Sequence, residues 1–230
     1  QLGEAPPGRT EDLSPADVVG LAQAHRSVGI AYTYSEPLVW FEFVLDTARL
    51  ARQRGLKNVI VSNGHLNEEP ARELLPLIDA ANIDLKAFTE RFYLKLCGAH
   101  LQPVLDTLDH LHREGRTWLE ITTLLIPGEN DSEAEIDAMT GWIVGHLGPD
   151  VPLHFSAFHP DWKMRDRPRT PLRTLQRARE LALANGLRYV FTGNVSDPAG
   201  SSTWCHQCGD LLIGRDRYSI SHWRVDMVNG

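Results

Sequence analysis

The chain has 230 residues, of which 42% are hydrophobic, 8% aromatic and 23% charged. This length and apolar content allow a buried core in one large domain or two small ones. The 30 acidic residues outnumber the 23 basic ones, and the net charge of -7 argues against a general nucleic-acid or membrane-surface binder. No apolar run reaches the ~20 residues of a transmembrane helix, and three cysteines are too few for a disulfide framework, so we expect a cytoplasmic protein.

The first elements are a loop and a capped helix. Residues 1–12 are rich in Pro, Gly and charge and are expected to lack regular structure. A helix is predicted to begin at Ser14, followed by Pro15 at the first helical position and Asp17 in the first turn.

From there, short apolar runs alternate with amphipathic segments. The apolar runs predict six strands, at Val28–Tyr34, Asn58–Ser62, Ala81–Leu85, Trp118–Ile126, Leu153–Phe158 and Arg188–Thr192. The amphipathic segments predict helices over Val39–Arg54, Asn67–Ile78, Thr89–Leu96, Pro103–Glu114, 131–146 and 170–185. Strands alternating with helices indicate an α/β fold with a parallel sheet.

Polar residues recur just after the predicted strands, and this pattern favours a barrel or partial barrel over an open sheet. The alternative is that loops are simply polar. The residues concerned are Glu36, Asn63, Lys86, Asn130, His159 and Asn194.

Three of the strand ends carry specific chemistry. Glu36, placed between a strand and Pro37, can accept an ammonium group, and Gly64 would let a ligand approach the backbone closely. Asp84 and Lys86 lie two residues apart and therefore share a strand face, either as a structural ion pair or as part of a polar ligand site.

A change of composition near residue 195 predicts a small C-terminal appendage. We expect one domain over residues 1–195 and a second segment over 196–230 that contains Cys205-His206-Gln207-Cys208-Gly209. Cys205 and Cys208 have the spacing of a metal knuckle, with zinc as the candidate ion, but they supply only half of a tetrahedral site. The alternative is a pair of reduced structural cysteines under a hairpin.

Six segments in one order closely resemble the radical SAM enzymes of the AmmeMemoRadiSam system, which are relatives of the pyruvate formate-lyase-activating enzyme. The resemblance spans nearly the whole chain. It is carried by the segments 31–37 (AYTYSEP), 61–64 (VSNG), 82–86 (NIDLK), 120–128 (EITTLLIPG), 158–161 (FHPD) and 203–209 (TWCHQCG).

The resemblance implies a partial (β/α)6 TIM-like barrel that binds S-adenosylmethionine (SAM) on a [4Fe–4S] cluster. The family cleaves SAM reductively to a 5′-deoxyadenosyl radical, which abstracts hydrogen from a substrate that the sequence does not identify. The implied partners are an electron donor, such as a flavodoxin or ferredoxin, and a protein substrate.

The resemblance also implies roles for individual residues around SAM. Ser35-Glu36-Pro37 stands where relatives carry a Gly-Gly-Glu segment, so Glu36 would contact the methionyl ammonium. Lys86 would counter the methionine carboxylate. The other expected neighbours of the cofactor are Ser62, Asn63, Asp84, Ile126, Pro127 and His159, with Ile126 and Pro127 on the adenine side and His159 facing the ribose or carboxylate.

The chain departs from the family at the cluster. Three cysteinyl ligands are needed, and no CxxxCxxC motif is present. Because the chain begins at Gln1, we expect the cluster ligands and the first barrel strand to lie upstream of residue 1, leaving a fragment that cannot hold the cluster alone.

Two other functions remain open at this point. One is a non-catalytic barrel remnant that acts as a binding module. The other is a metal-dependent hydrolase that uses Asp84, His154 and His159, although the sequence lacks a His-x-His at a strand end.

Overall fold

The computed structural model describes residues 12–225, and its fold is the predicted α/β class with a parallel six-stranded sheet. The strands follow one another in the sheet in chain order. Their bounds are β1 (Gly29–Tyr32), β2 (Lys57–Ser62), β3 (Ala80–Asp84), β4 (Trp118–Leu125), β5 (Leu153–Ala157) and β6 (Val190–Gly193).

Except for a short helix at Pro198–Ser201, which the sequence did not predict, the helices lie at the predicted positions. The first begins as expected, because the Ser14 hydroxyl accepts from the Asp17 amide and the Asp17 carboxylate accepts from the Ser14 amide. The bounds are α1 (Pro15–Ala24), α2 (Phe41–Gln53), α3 (Glu68–Leu74), α4 (Glu90–Phe92), α5 (Gln102–Glu114), α6 (Glu133–Leu147), α7 (Leu172–Ala184) and α8 (Pro198–Ser201).

Two helical segments differ from the prediction in detail. Pro37–Trp40 forms a separate 3-10 turn before α2, because the Glu36 carboxylate accepts from the Leu38 amide and starts a short turn there. The segment after α4 is a π-helical turn over Tyr93–Cys97, which ends at Gly98 with φ of 64°.

The chain divides into two compact units. The first contains residues up to Asp84 and the segment 102–119. Its strands β1, β2 and β3 pair in parallel, and Ile60 and Ile83 are almost completely buried in its core. Asn58 is also buried there: its side chain accepts from the Tyr32 hydroxyl (2.9 Å) and donates to the Ala48 carbonyl (3.0 Å). Burial raises the pKa of Tyr32.

The second unit contains residues 85–101 and the chain from Glu120 onward. Strands β4, β5 and β6 pair in parallel, with Ile121 aligned to Leu153 and Leu153 aligned to Val190. The core includes Phe155 and Ile143, both fully buried. Runs that are apolar on both faces are typical of parallel strands with helices packed against them.

A small antiparallel sheet follows in the second unit. It consists of β7 (Thr203–Trp204), β8 (Leu211–Asp216) and β9 (Ser219–Trp223), and the two cysteines of the CxxC motif lie in the turn between β7 and β8. The domain boundary at residue 195 stays a prediction. In the part of the chain that the structure describes, no helix combines the length and apolar character needed to cross a bilayer.

Candidate functional site

The carboxylate of Glu36 is held after β1 by three hydrogen bonds. Oε1 accepts from the Ser62 hydroxyl at 2.8 Å and from the Leu38 amide at 3.1 Å, while Oε2 accepts from the Asn63 amide at 2.8 Å. Glu36 is half-buried, so its orientation is fixed while one side stays open to a ligand. A carboxylate has about four acceptor positions, which leaves room for one further donor such as an ammonium group.

The parallel pairing of β1 and β2 explains why these residues meet. Tyr32 is aligned with Ile60, so the segment after Tyr32 and the end of β2 at Ser62 lie at the same edge of the sheet. Ser62 is buried, and its hydroxyl accepts from the Gly64 amide at 3.1 Å, which turns the chain immediately after the strand. The predicted neighbours Glu36, Ser62 and Asn63 are therefore brought together.

Gly64 has a different role from the one expected. The sequence suggested that its missing side chain makes room for a ligand. In the structure a Cβ at Gly64 would lie 2.6 Å from Cγ2 of Ile83 and 3.3 Å from Cγ1 of Val104. Glycine at this position makes room for core side chains, and its φ of 69° is one that other residues rarely adopt.

Asp84 is the last residue of β3, at the same edge as Ser62, which is aligned with Ile83. Asp84 is half-buried and takes part in an interaction, as does Lys86 in the second unit. Asp84 thus adds a second carboxylate to the strand ends of the first unit.

In the second unit, Asn130 fixes the backbone of two predicted site residues. Its Oδ1 accepts from the Ile126 amide at 2.7 Å, and its Nδ2 donates to the carbonyls of Lys86 (2.7 Å) and Leu124 (2.9 Å). Asn130 is only 2% exposed. The sequence placed Asn130 among the strand-end residues, but nothing in the pattern indicated that its amide group is fully used by the backbone.

His159 is exposed and lies two residues beyond β5. The chain before it is anchored by Thr170, whose amide donates to the Phe158 carbonyl at 3.1 Å and whose hydroxyl accepts from the Phe158 amide at 3.0 Å. The Thr170 hydroxyl also donates to the Leu125 carbonyl at 2.6 Å, which links the ends of β4 and β5. His159, Ile126 and Pro127 therefore follow strand ends that are tied together.

The structure does not support the metal-dependent hydrolase hypothesis. Among residues 12–225, no group of three or more His, Cys, Asp or Glu side chains could hold a metal ion. His154 is instead engaged with Glu120, with 2.8 Å between Nε2 and Oε2, and its ring stacks on Phe191. Both contacts are those of a structural histidine.

The cysteines fall into two kinds. Desolvation raises the pKa of the Cys97 thiol, although the charge of Lys86 opposes this effect. The pKa of Cys205 is lowered, because its sulfur receives hydrogen bonds from the Cys208 and Gln207 amides and from the Cys208 thiol.

A [4Fe–4S] cluster with one site open to SAM needs three thiolates in one place. Cys97, Cys205 and Cys208 form no such group in the described part of the chain. These residues do not fit the cluster.

Comparison with known proteins identifies the family. Residues 3–139 match the Radical SAM superfamily. The chain belongs to the Radical SAM superfamily. This confirms the superfamily inferred from the sequence motifs, while membership of the AmmeMemoRadiSam system stays a prediction.

Two curated relatives extend the assignment. An uncharacterized protein of Methanocaldococcus jannaschii is 41% identical over 94% of this chain and 64% of its own length. The benzylsuccinate synthase activating enzyme of Thauera aromatica is 26% identical over 57% of this chain and 40% of its own length. The chain thus spans about two thirds or less of the length of these relatives.

A solved structure supports the fold. A domain of the pyruvate-formate lyase-activating enzyme from Bacteroides vulgatus superposes with a TM-score of 0.61, covering 72% of this chain and 99% of that domain. At 18% identity this similarity shows the fold alone. The fold agrees with the predicted partial TIM-like barrel of radical SAM enzymes.

Proposed function

We propose that this chain carries the SAM-binding surface of a radical SAM enzyme of the activating-enzyme type. The observation that carries the proposal is the Glu36 carboxylate, which is fixed by Leu38, Ser62 and Asn63 and retains acceptor capacity at a strand end. In parallel α/β folds, ligands bind at the carboxyl ends of the strands.

The chemistry of SAM matches the polar groups at these strand ends. SAM carries an ammonium, a carboxylate and a sulfonium group, and in this superfamily it is the source of the radical chemistry. We assign Glu36 to the ammonium, because charge-assisted hydrogen bonds are the stronger ones. A role for Lys86 at the carboxylate stays a prediction from the family resemblance. Ser62 and Asn63 act by holding Glu36 in place.

The remaining site residues have supporting roles in the proposal. The adenine contacts of Ile126 and Pro127, in the second unit, stay predictions from the family resemblance, and the Ile126 amide itself is satisfied by Asn130. His159 is exposed, and its contact with the ribose or carboxylate likewise stays a prediction from the resemblance. Asp84 adds a carboxylate near the methionyl end.

The proposal includes no step through the cluster, because the cysteines of this chain do not fit it. An electron donor and a protein substrate stay predictions from the family.

The proposal is tested by measuring SAM binding to the purified chain with isothermal titration calorimetry. Glu36→Gln removes the negative charge but keeps the size of the side chain. Since hydrogen bonds to charged groups contribute about 1.5–3 kcal/mol, we expect the Kd for SAM to rise roughly tenfold to a hundredfold.

Glu114→Gln is the matched control. Glu114 is exposed at the end of α5, before β4 begins. The site residues, in contrast, follow the carboxyl ends of their strands. Its Kd should equal that of the unmodified chain. An unmodified chain that fails to bind SAM, or equal affinities for both variants, would contradict the proposal and favour the barrel remnant that binds a different partner.

A further inference from the structure

A polar cavity of about 380 Å³ lies at the carboxyl end of β6, within the second unit. Its walls are Arg169, residues 192–197, Ser201 of α8, and the turn at Arg217 and Tyr218 between β8 and β9. A cavity of this size accommodates a small organic molecule. The residues proposed for SAM are not among those that line it, so the proposed function leaves this cavity unused.

Arg169 is held in a fixed orientation in the cavity wall. Its Nη2 donates to the Asn194 carbonyl at 2.8 Å. The next residue, Thr170, is buried and bonded to Phe158 and Leu125, which anchors the backbone beside Arg169. A guanidinium group has five N–H donors, so most of those of Arg169 remain for a ligand. Because the group is already held in place, it loses little conformational freedom when it binds one.

The turn that carries Arg217 is fastened to the opposite wall. Two residues earlier in the chain, the Arg215 amide donates to the Ser202 hydroxyl at 3.0 Å, and the Arg215 carbonyl accepts from the Ser201 hydroxyl at 3.1 Å. These bonds tie the end of β8 to the end of α8. Arg217 itself is exposed, and its guanidinium makes no hydrogen bond or ion pair with another of the residues that the structure describes.

The cavity has a surplus of positive charge. Its acidic residue, Asp197, is already engaged, because Oδ2 accepts from the Thr192 hydroxyl at 2.9 Å and the carboxylate is attracted to Arg179. Gly200 makes room for this pair, since a Cβ there would collide with both Asp197 and Thr192. The two arginines of the walls therefore set the charge that a ligand meets, and clefts with one sign of charge concentrate ions of the opposite sign.

The backbone is strained on both sides of the cavity. Asn194 has a φ of 60° and Arg217 a φ of 53°, a conformation that residues other than glycine rarely adopt. Such residues cost free energy and are concentrated at ligand-binding and catalytic sites. Here they place the Asn194 carbonyl against Arg169 and Arg217 at the tip of its turn.

We propose that this cavity binds a small organic anion through a carboxylate or phosphate group held by Arg169 and Arg217. The planar guanidinium group forms paired, charge-assisted hydrogen bonds with either kind of oxyanion. The site belongs to the second unit alone, and it does not depend on the assignment of Glu36 to SAM.

The test is a titration of the purified chain at physiological salt with inorganic phosphate and, separately, with succinate. The arginine Nε–H signals are followed by NMR. We expect saturable shifts at Arg169 and Arg217 with at least one of the two anions. Arg217→Gln and Arg169→Gln should each raise the Kd about tenfold, because each removes a charged donor. Glutamine at position 169 can still donate to the Asn194 carbonyl, so the wall should stay folded.

Arg26→Gln is the matched control. Arg26 is an exposed arginine of the first unit with a φ of 54°, so the substitution makes the same change of charge in the same backbone conformation outside the cavity. Its Kd should equal that of the unmodified chain. Binding of phosphate alone, of succinate alone or of both supports the site and identifies the class of anion. Failure of both anions to bind saturably, or equal weakening by Arg26→Gln, would overturn the proposal.

Discussion

Glu36 and Asn130 both follow parallel strands, yet the structure uses them in opposite ways. Glu36 is half-buried and accepts from Leu38, Ser62 and Asn63, so its negative charge stays available at the edge of the first unit. Asn130 is buried, and its amide group is consumed by backbone groups of the second unit. The first arrangement presents a charge, whereas the second fastens two backbone segments.

The remaining hydrogen-bonding capacity of the side chain distinguishes binding residues from structural ones at strand ends. A neutral side-chain amide whose oxygen and nitrogen both bond to backbone groups can stabilise the fold, but it has no polar group left for a ligand. A carboxylate that is held in place and can still accept a hydrogen bond can stabilise the fold and also bind a ligand. Substitutions at the two positions should therefore change different quantities.

The largest expected effect on stability is at Asn130. Asn130→Ala leaves the Ile126 amide and the Lys86 and Leu124 carbonyls without their side-chain partner in a buried region. Buried polar groups that lose their partner cost about 1–3 kcal/mol each, with partial relaxation. We expect the free energy of unfolding to fall by about 3 kcal/mol in urea denaturation.

Asn67→Ala is the control for this experiment. Asn67 precedes α3 and is exposed, and its side chain makes no capping hydrogen bond. Its loss should change the free energy of unfolding by less than about 0.5 kcal/mol. If both substitutions lowered the free energy of unfolding equally little, the hydrogen bonds of Asn130 to the backbone would not stabilise the fold as its contacts indicate.

A somewhat smaller effect is expected at Gly64, in the turn that presents Ser62 and Asn63 to Glu36. Gly64→Ala adds a Cβ that overlaps Ile83 and also strains a backbone with φ of 69°. Gly98 has a similar φ of 64° but open space around it. We expect Gly64→Ala to cost about 2 kcal/mol and Gly98→Ala about 1 kcal/mol in the same denaturation assay. Equal costs would mean that packing against Ile83 does not hold the turn.

Much of the fold could be predicted because the apolar runs are short and lie between amphipathic helices. The β2 run at Asn58–Ser62 matches the observed Lys57–Ser62 closely. The capped start of α1 at Ser14 is also confirmed. The turn at Pro37–Trp40 was missed, since it depends on a hydrogen bond from a backbone amide to the Glu36 side chain, which periodicity does not reveal.

The candidate site could be predicted only in part. The positions of Glu36 and Ser62 at strand ends follow from the parallel sheet, so their proximity was foreseeable. The anchoring role of Asn130 depends on which backbone groups lie within 3 Å of its amide, and this is a property of the folded chain. The close approach of Ile83 to Gly64 is likewise a property of the folded chain that the sequence pattern does not reveal.

The smallest expected effect, and the one that most sharpens the comparison, is at Ser62. Ser62→Ala removes one donor from Glu36 and one acceptor from the Gly64 amide, while the carboxylate keeps its bonds to Leu38 and Asn63. We expect a loss of about 1 kcal/mol in the free energy of unfolding and a Kd for SAM that rises roughly twofold to fivefold. Calorimetry on Ser62→Ala and Ser62→Thr separates the two effects, because threonine keeps the hydroxyl and should restore the affinity. An affinity that stays unchanged in Ser62→Ala would show that Glu36 is oriented without this bond, and that the turn after β2 serves the fold alone.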